Sequence, residues 1–312
     1  MEIRQLKYFV KIVELGSLTR AAEVLFIAQP ALSQQMASLE RDLGVKLLGR
    51  SVRGVTMTEA GEAFYKQANI ILKQVDMARH VVLAAHEQPS GSVSVGLPSS
   101  IANVLAVPLV RNVRTQFPNV LLEFHESPSF YLDELVMNGR IDIGLLFGSN
   151  RSKGLKFRKL LTENLYLVGT AGSLTDDQPV ALAQLADYPL LLPSRPNSIR
   201  LQLDQAFAQI GSKYTPSAEI NSTPVLKRLV EEGLGFTVFP WCAVDAEMAA
   251  GRLQGRQVVD PDVAREVSVC YSDKMPMSFA AEAVCELMIS TVSELVASGR
   301  WRGVHIDQRI WQ

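Results

Sequence analysis

Between residues 64 and 85 apolar side chains recur as Phe64, Ala68, Ile71, Val75, Ala78, Val82 and Ala85, at spacings of 4, 3, 4, 3, 4 and 3. This is a heptad seam over three repeats. It lies on a helix that opens at the capping residue Thr58, carries Glu59 in its first turn and reaches about His86. Such a stripe can pack on its own domain or against a second chain. Its position between two regions of different pattern favours a contact between copies, made by Phe64, Ala68, Ile71, Val75, Ala78 and Val82. Gln88-Pro89-Ser90-Gly91 then breaks the helix and marks a linker. The seam thus divides the 312 residues into a short N-terminal region and a long C-terminal one.

The N-terminal region reads as three short helices and a hairpin. Leu6, Phe9, Val10 and Val13 give one apolar face to a helix over Ile3–Glu14. Gly16 stops it, and Ser17 caps a second helix, Leu18 to about Leu25. Pro30 suits the first turn of a third helix because its missing N–H has no partner there anyway. Leu32, Met36, Leu39 and Leu43 form the inner stripe of that helix, and Gly44 ends it. Gln29, Ser33, Gln34 and Ala37 then face outward near its start. Lys46–Leu48 and Val55–Thr56, joined through Arg50, Arg53 and Gly54, read as a two-stranded wing.

From Ser92 onward strand and helix patterns alternate. Candidate strands are Val93–Leu97, Leu121–His125, Ile141–Phe147, Leu165–Gly169, Pro189–Leu192, Ala218–Ile220, Phe236–Phe239 and Val267–Tyr271. Helical stretches fall at Ile101–Gln116, Leu132–Met137, Ile199–Ile210, Val225–Glu231 and Phe279–Ala297. The alternation predicts parallel sheets covered on both faces.

Charge and composition narrow the function. Hydrophobic residues make up 47% and charged residues 20%, a globular balance rather than a disordered one. The net charge is −1, so the chain as a whole is no basic nucleic-acid coat. Between Glu23 and Glu59, however, the only acids are Glu40 and Asp42, and Lys46, Arg50 and Arg53 follow with none. A locally basic surface is therefore available. Met1-Glu2-Ile3-Arg4 lacks an apolar signal core, and no apolar run would span a bilayer, so a cytoplasmic chain is expected with no membrane partner. Cys242, Cys270 and Cys285 are odd in number and widely spaced. They read as buried, reduced thiols, with a redox pair Cys242/Cys270 as the alternative. The four dispersed histidines give no metal spacing, and neither metal nor cofactor is expected. No Gly-rich phosphate loop, nucleophile elbow or zinc-protease motif points to an enzyme.

Several quoted runs together carry a family pattern. They are Leu6-Lys7-Tyr8-Phe9, Gly16-Ser17-Leu18-Thr19, Ala21-Ala22, Gln29-Pro30-Ala31-Leu32-Ser33-Gln34-Gln35, Leu39-Glu40, Leu43-Gly44, Leu47-Leu48, Arg50, Arg53 and Thr58-Glu59-Ala60-Gly61. This stretch resembles the LysR-type transcriptional regulators, with Leu48 and Met57 as mild apolar departures. Within that family the DNA-binding end is similar to the nitrogen assimilation control subgroup.

The resemblance implies an α+β multidomain chain with a winged helix-turn-helix at residues 1–58 and a linker dimerisation helix and hinge at 59–91. Two α/β lobes of periplasmic-binding-protein type would follow, at 92–162 plus 267–312 and at 163–266. It implies a regulator whose partners are promoter or operator DNA, a small-molecule effector, a second copy in a homodimer or homotetramer, and RNA polymerase. Gln29, Pro30, Ala31, Ser33 and Gln34 would meet base edges, Arg50 and Arg53 phosphate or the minor groove, and Ser17 and Thr19 the DNA backbone. Ser99, Ser100, Phe147, Asn197 and Thr223 would line the effector site, with Arg195 and Arg200 available for a carboxylate. The α/β half alone would also suit a solute-binding protein of transport, but the missing signal core and the DNA-binding half count against it.

Overall fold

The computed structural model of the chain describes residues 1–51, 54–83, 88–148, 153–174 and 176–306. They form two compact units, with the main break along the chain between Glu87 and Gln88. The first holds α1 (Ile3–Leu15), α2 (Leu18–Val24), α3 (Gln29–Leu43), β1 (Leu48–Ser51), β2 (Gly54–Met57) and α4 (Glu59–Leu83).

Gly16 and Gly44 take left-handed φ values of 61° and 70° and so end α1 and α3. Leu6, Phe9, Leu32, Met36 and Leu39 share one core with no more than 2% of any side chain exposed. Leu43 departs from the expected stripe and is 37% exposed. Its place is taken by Glu40, which lies on the inner face of α3 and is 8% exposed. Glu40 accepts hydrogen bonds from the backbone N–H of Leu47 (3.0 Å) and Leu48 (3.2 Å) and from Lys46 Nζ (2.6 Å). A buried carboxylate is tolerable only when satisfied in this way. It ties the start of the wing to α3.

Two further contacts fix the wing. Val55 N–H donates to the Gly16 carbonyl at 2.9 Å. At Gly61, on the first turn of α4, an added Cβ would lie 2.1 Å from the Leu47 carbonyl oxygen, so this crossing admits only glycine.

The heptad seam is divided. Phe64 packs edge-on to Phe9 with ring centroids 5.1 Å apart, and Ala68 is fully enclosed. Ile71 packs on the same core. Ala68 therefore serves the fold of its own unit rather than a second chain, while Phe64 and Ile71 pack on that core and stay half-buried. Val75 is half-buried and Ala78 exposed, and the side chain of Val82 lies outside the described residues.

The second unit holds β3 (Ser90–Leu97), α5 (Ser99–Gln116), β4 (Asn119–Glu126), α6 (Ser129–Met137), β5 (Ile143–Phe147), β6 (Leu155–Thr170), β7 (Val180–Ala181), β8 (Leu191–Leu192), α7 (Ser198–Gln209), β9 (Ala218–Glu219), α8 (Thr223–Glu231), β10 (Thr237–Pro240), α9 (Trp241–Ala249), β11 (Leu253–Val259), β12 (Ala264–Ser272), α10 (Phe279–Ala297) and β13 (Val304–His305). A 3₁₀ turn covers Leu182–Asp187.

The main sheet is mixed rather than parallel. β3 pairs in parallel with β4 and β5, but β12 runs antiparallel to both β5 and β6. The long strand β6 continues into antiparallel pairing with β10 and β11. Two cores result. Leu160, Leu161 and Val267 belong to one, and Leu165, Leu167 and Val263 to the other, so β6 and β12 cross from core to core near residues 163 and 265. Among the described residues no helix is long and apolar enough to cross a membrane.

Candidate nucleic-acid interface and effector cleft

The outer edge of α3 contrasts with its inner stripe. Gln29, Pro30, Ala31 and Gln34 are exposed and Ser33 is half-buried. None of their side chains makes a hydrogen bond among the described residues. Amide and hydroxyl groups held on a helix N-terminal edge without internal partners are free for base edges, and the first-turn N–H groups suit phosphate. The helix is held in place from behind, where Gln5 Nε2 donates to Gln35 Oε1 at 3.3 Å. Of the two acids in this stretch Glu40 is buried, so Asp42 is the acid left on the surface between Val24 and Thr58.

Ser17 acts as the N-cap of α2, its Oγ accepting from Arg20 N–H at 3.3 Å, and Thr19 is exposed beside it. Arg50 sits on β1 opposite Val55. Its side chain and all of Arg53 lie outside the described residues.

In the second unit four helix starts converge on one cavity of about 200 Å³. They are Ser99 and Ser100 of α5, Ser129 of α6, Asn197 and Ser198 before and within α7, and Thr223 of α8. Phe147 closes another side. The cavity thus brings together Ser99, Ser100, Phe147, Asn197 and Thr223. Helix N-termini offer unpaired N–H groups and positive potential. Asn197 uses its Oδ1 on Ile199 N–H at 2.9 Å, and Ser99 donates to Glu126.

Two charged groups line this cavity, Asp133 of α6 and Arg265, and sequence reasoning missed both. Arg265 is 2% exposed and lies on β12 directly opposite Glu163 of β6, which is 1% exposed. Arg265 Nε donates to Glu163 Oε1. Its two terminal nitrogens donate to Ser198 Oγ at 3.2 Å and Ser100 Oγ at 2.8 Å, and its Cζ lies 3.5 Å from the centre of the Phe147 ring. Glu163 Oε2 in turn accepts from Cys242 Sγ and Trp301 Nε1, both at 3.3 Å. Every oxygen and nitrogen of the pair that could be stranded by burial has a partner, the condition under which a buried ion pair is tolerated. The signal available in the sequence was only a lone Glu163 and a lone Arg265 in apolar strands, 102 residues apart.

Arg195 and Arg200 prove to be engaged elsewhere, which corrects their assignment to a ligand carboxylate. Arg195 pairs with Asp204 at 2.6 Å. Arg200 is 6% exposed and pairs with Asp204 at 3.2 Å and Glu219 at 2.7 Å. Burial works to raise the carboxyl pKa of Asp204, but the hydrogen bonds from Arg195, Tyr214 and Arg200 outweigh it and hold the group below the ordinary range. Neither arginine lines the cavity.

All three cysteines are buried. Burial pushes Cys270 and Cys285 up to about 12 and Cys242, beside Glu163, well above its usual value. Thiols held protonated in this way are poor nucleophiles.

Residues 3–62 match the bacterial regulatory helix-turn-helix protein, lysR family, and residues 86–293 match the LysR substrate binding domain. The chain belongs to the LysR family. It is 38% identical to the nitrogen assimilation regulatory protein nac of Escherichia coli K12 over 315 aligned positions, covering 100% of this chain and 99% of that protein. The likeness to that subgroup therefore extends well past the DNA-binding end. A full-length OxyR variant from Pseudomonas aeruginosa, carrying a single cysteine-to-aspartate substitution, superposes with a TM-score of 0.77 at 25% identity over 94% of each chain. Full-length CbnR complexed with its target DNA gives 0.56 at 25% identity, over 93% of this chain and 99% of that one. The LysR family assignment makes this chain a DNA-binding transcription regulator with an effector-binding domain rather than an enzyme or a transport protein.

Proposed function

We propose that two copies of this regulator read the two halves of an operator through the outer edge of α3, with Gln29, Ser33 and Gln34 on base edges and Pro30 and Ala31 against thymine methyls. Ser17, Thr19, Arg50 and Arg53 contact the backbone or the minor groove. The division is residues 1–58 for DNA, 59–91 for linkage and dimerisation, and 92–162 with 267–312 and 163–266 for the two lobes. The seam, with Phe64, Ile71, Val75, Ala78 and Val82, joins the copies into a homodimer or homotetramer, and the bound assembly engages RNA polymerase. The observation that carries the DNA-reading role is the split of α3 into a buried stripe and an outer edge whose polar groups have no internal partner among the described residues. A gel shift with the intergenic DNA upstream of the protein's own reading frame tests it. The expected result is a salt-sensitive specific complex that excess unrelated DNA does not compete away, and binding to all DNA alike would contradict it.

The cavity at Ser99, Ser100, Phe147, Asn197 and Thr223 takes a small effector, and its volume lies below the ~300–1,000 Å³ of pockets for drug-sized ligands. Convergent helix starts beside Arg265 support an anionic group on the ligand, held by the first-turn N–H groups, with the Asp133 carboxylate on the same wall able to accept from a donor of the ligand. Such a ligand shifts the regulator only through a difference in affinity between its arrangements. Ser100→Trp should abolish ligand-dependent change in promoter output, and an unaltered response would remove the cavity from the switch.

A further inference from the structure

Arg265 stands on β12 midway between the two cores, with Val267 in the first and Val263 in the second. Glu163, its partner on β6, stands likewise between Leu161 of the first and Leu165 of the second. The pair therefore sits where both strands cross. Its hydrogen bonds reach out from there to each core. Ser100 opens α5 beside Ile101 of the first core and accepts from Arg265 at 2.8 Å. Ser198 opens α7 beside Ile199 of the second core and accepts from Arg265 at 3.2 Å. Glu163 is anchored in turn by Cys242 of α9 and by Trp301, beyond α10. One guanidinium thus ties the helix starts of both cores, and both serines line the cavity. The planar fork fixes the directions of the two bonds, and at 2% exposure little water competes for them.

We propose that Arg265 is a latch between the lobes. In the ligand-free chain its two arms fix the spacing of α5 and α7, and a ligand that changes this spacing must first detach Ser100 or Ser198. The inference rests on the reading of the cavity as the effector site and adds how that site is restrained. Glu163 matches the charge of Arg265, so the arginine acts as a tie rather than as an anchor for the ligand. The helix starts that it joins carry the first-turn N–H groups assigned to the ligand's anionic group, so ligand and latch bear on the same two elements.

The test measures the lobe spacing by pulsed electron paramagnetic resonance on the full, ligand-free chain. Nitroxide labels go on Ala297→Cys of α10 and Gln209→Cys of α7, both exposed positions, one on each lobe, while the buried native thiols stay unlabelled. Dilution with unlabelled chain removes distances between copies. The parent should give one narrow distance distribution. Ser100→Ala with Ser198→Ala should widen it about two-fold, because water from the cavity takes the vacated places on Arg265 and the arms no longer span the lobes. Ser100→Thr with Ser198→Thr keeps both hydroxyls and should keep the distribution narrow. Each single alanine variant should widen it less than the pair does, and carries the test if the pair does not fold. A parent distribution as broad as that of the alanine variants overturns the latch. So does a narrow distribution in every alanine variant, and so do threonine variants as broad as the alanine ones. None of these results touches the effector reading, which falls only if Ser100→Trp leaves the promoter response unaltered.

Discussion

The two units hold the residues proposed to act in them by different means. In the first, α3 carries both jobs on one short segment: Leu32, Met36 and Leu39 bury while Gln29, Ser33 and Gln34 stay free, and the register of 3.6 residues per turn separates them. In the second, the cavity is assembled from four helix starts and a buried pair, Glu163 and Arg265, that are distant along the chain. A DNA-reading edge needs one rigid surface. A switchable pocket needs parts from two lobes that can be re-spaced. Local construction gives the first, and non-local construction gives the second.

The largest effect that would break this contrast is at the crossover. Arg265→Ala strands Glu163 in the interior and should destabilise the second unit by about 3–5 kcal/mol. Calorimetry should show one transition falling by many degrees while operator binding by the first unit, measured below that transition, persists. Loss of both together would mean the two units fold as one.

A smaller effect is expected at Glu40. Burial alone would raise its pKa, but Lys46 and the Leu47 and Leu48 N–H groups outweigh that and lower it. A carboxyl depressed in the fold stabilises above its ordinary unfolded value and loses that contribution as pH falls through its folded value. Glu40→Gln should therefore cost about 1–3 kcal/mol near neutral pH and progressively less in acid. A pH-independent difference in melting would contradict the assigned role.

Smaller still is the wing. Arg53→Ala should weaken binding to all DNA and reduce the slope of log affinity against log salt by about 1. A change confined to one base pair would instead make Arg53 a base reader. The thiols should show the least: at pH 8 in native buffer Cys270 and Cys285, raised to about 12, should resist a thiol reagent that labels the denatured chain at once. Rapid native labelling would reopen a redox role.

The same contrast explains what could be read from sequence. α1 to α3 and their caps follow from Gly16, Ser17, Pro30 and Gly44, because helix stops and starts are local chemistry. So do the bounds of α10, expected and found at Phe279–Ala297. Leu43 was misplaced because Glu40, given partners by the wing, takes the inner position. Periodicity reports that a stripe is buried but not on what, so the seam alone could not show that Ala68 is enclosed within its own unit. The expected parallel pairing holds for β3, β4 and β5 and fails at β12 and β6, because β6 runs 16 residues through both lobes and only its second half carries a strand pattern in the sequence. α9 and β11 were missed altogether. No local pattern shows that Asp204 and Glu219 reach Arg195 and Arg200, or that Glu163 reaches Arg265, because folding alone brings these groups together.

The most direct test of the divided α3 is the affinity of Gln29→Ala and Ser33→Ala for operator and for unrelated DNA at one fixed salt concentration. Each should lower operator affinity by about 1–3 kcal/mol, or roughly 5- to 150-fold, while binding to unrelated DNA and the melting of the first unit stay as in the parent chain. Unchanged operator affinity in both variants would contradict the assignment of that edge to base reading.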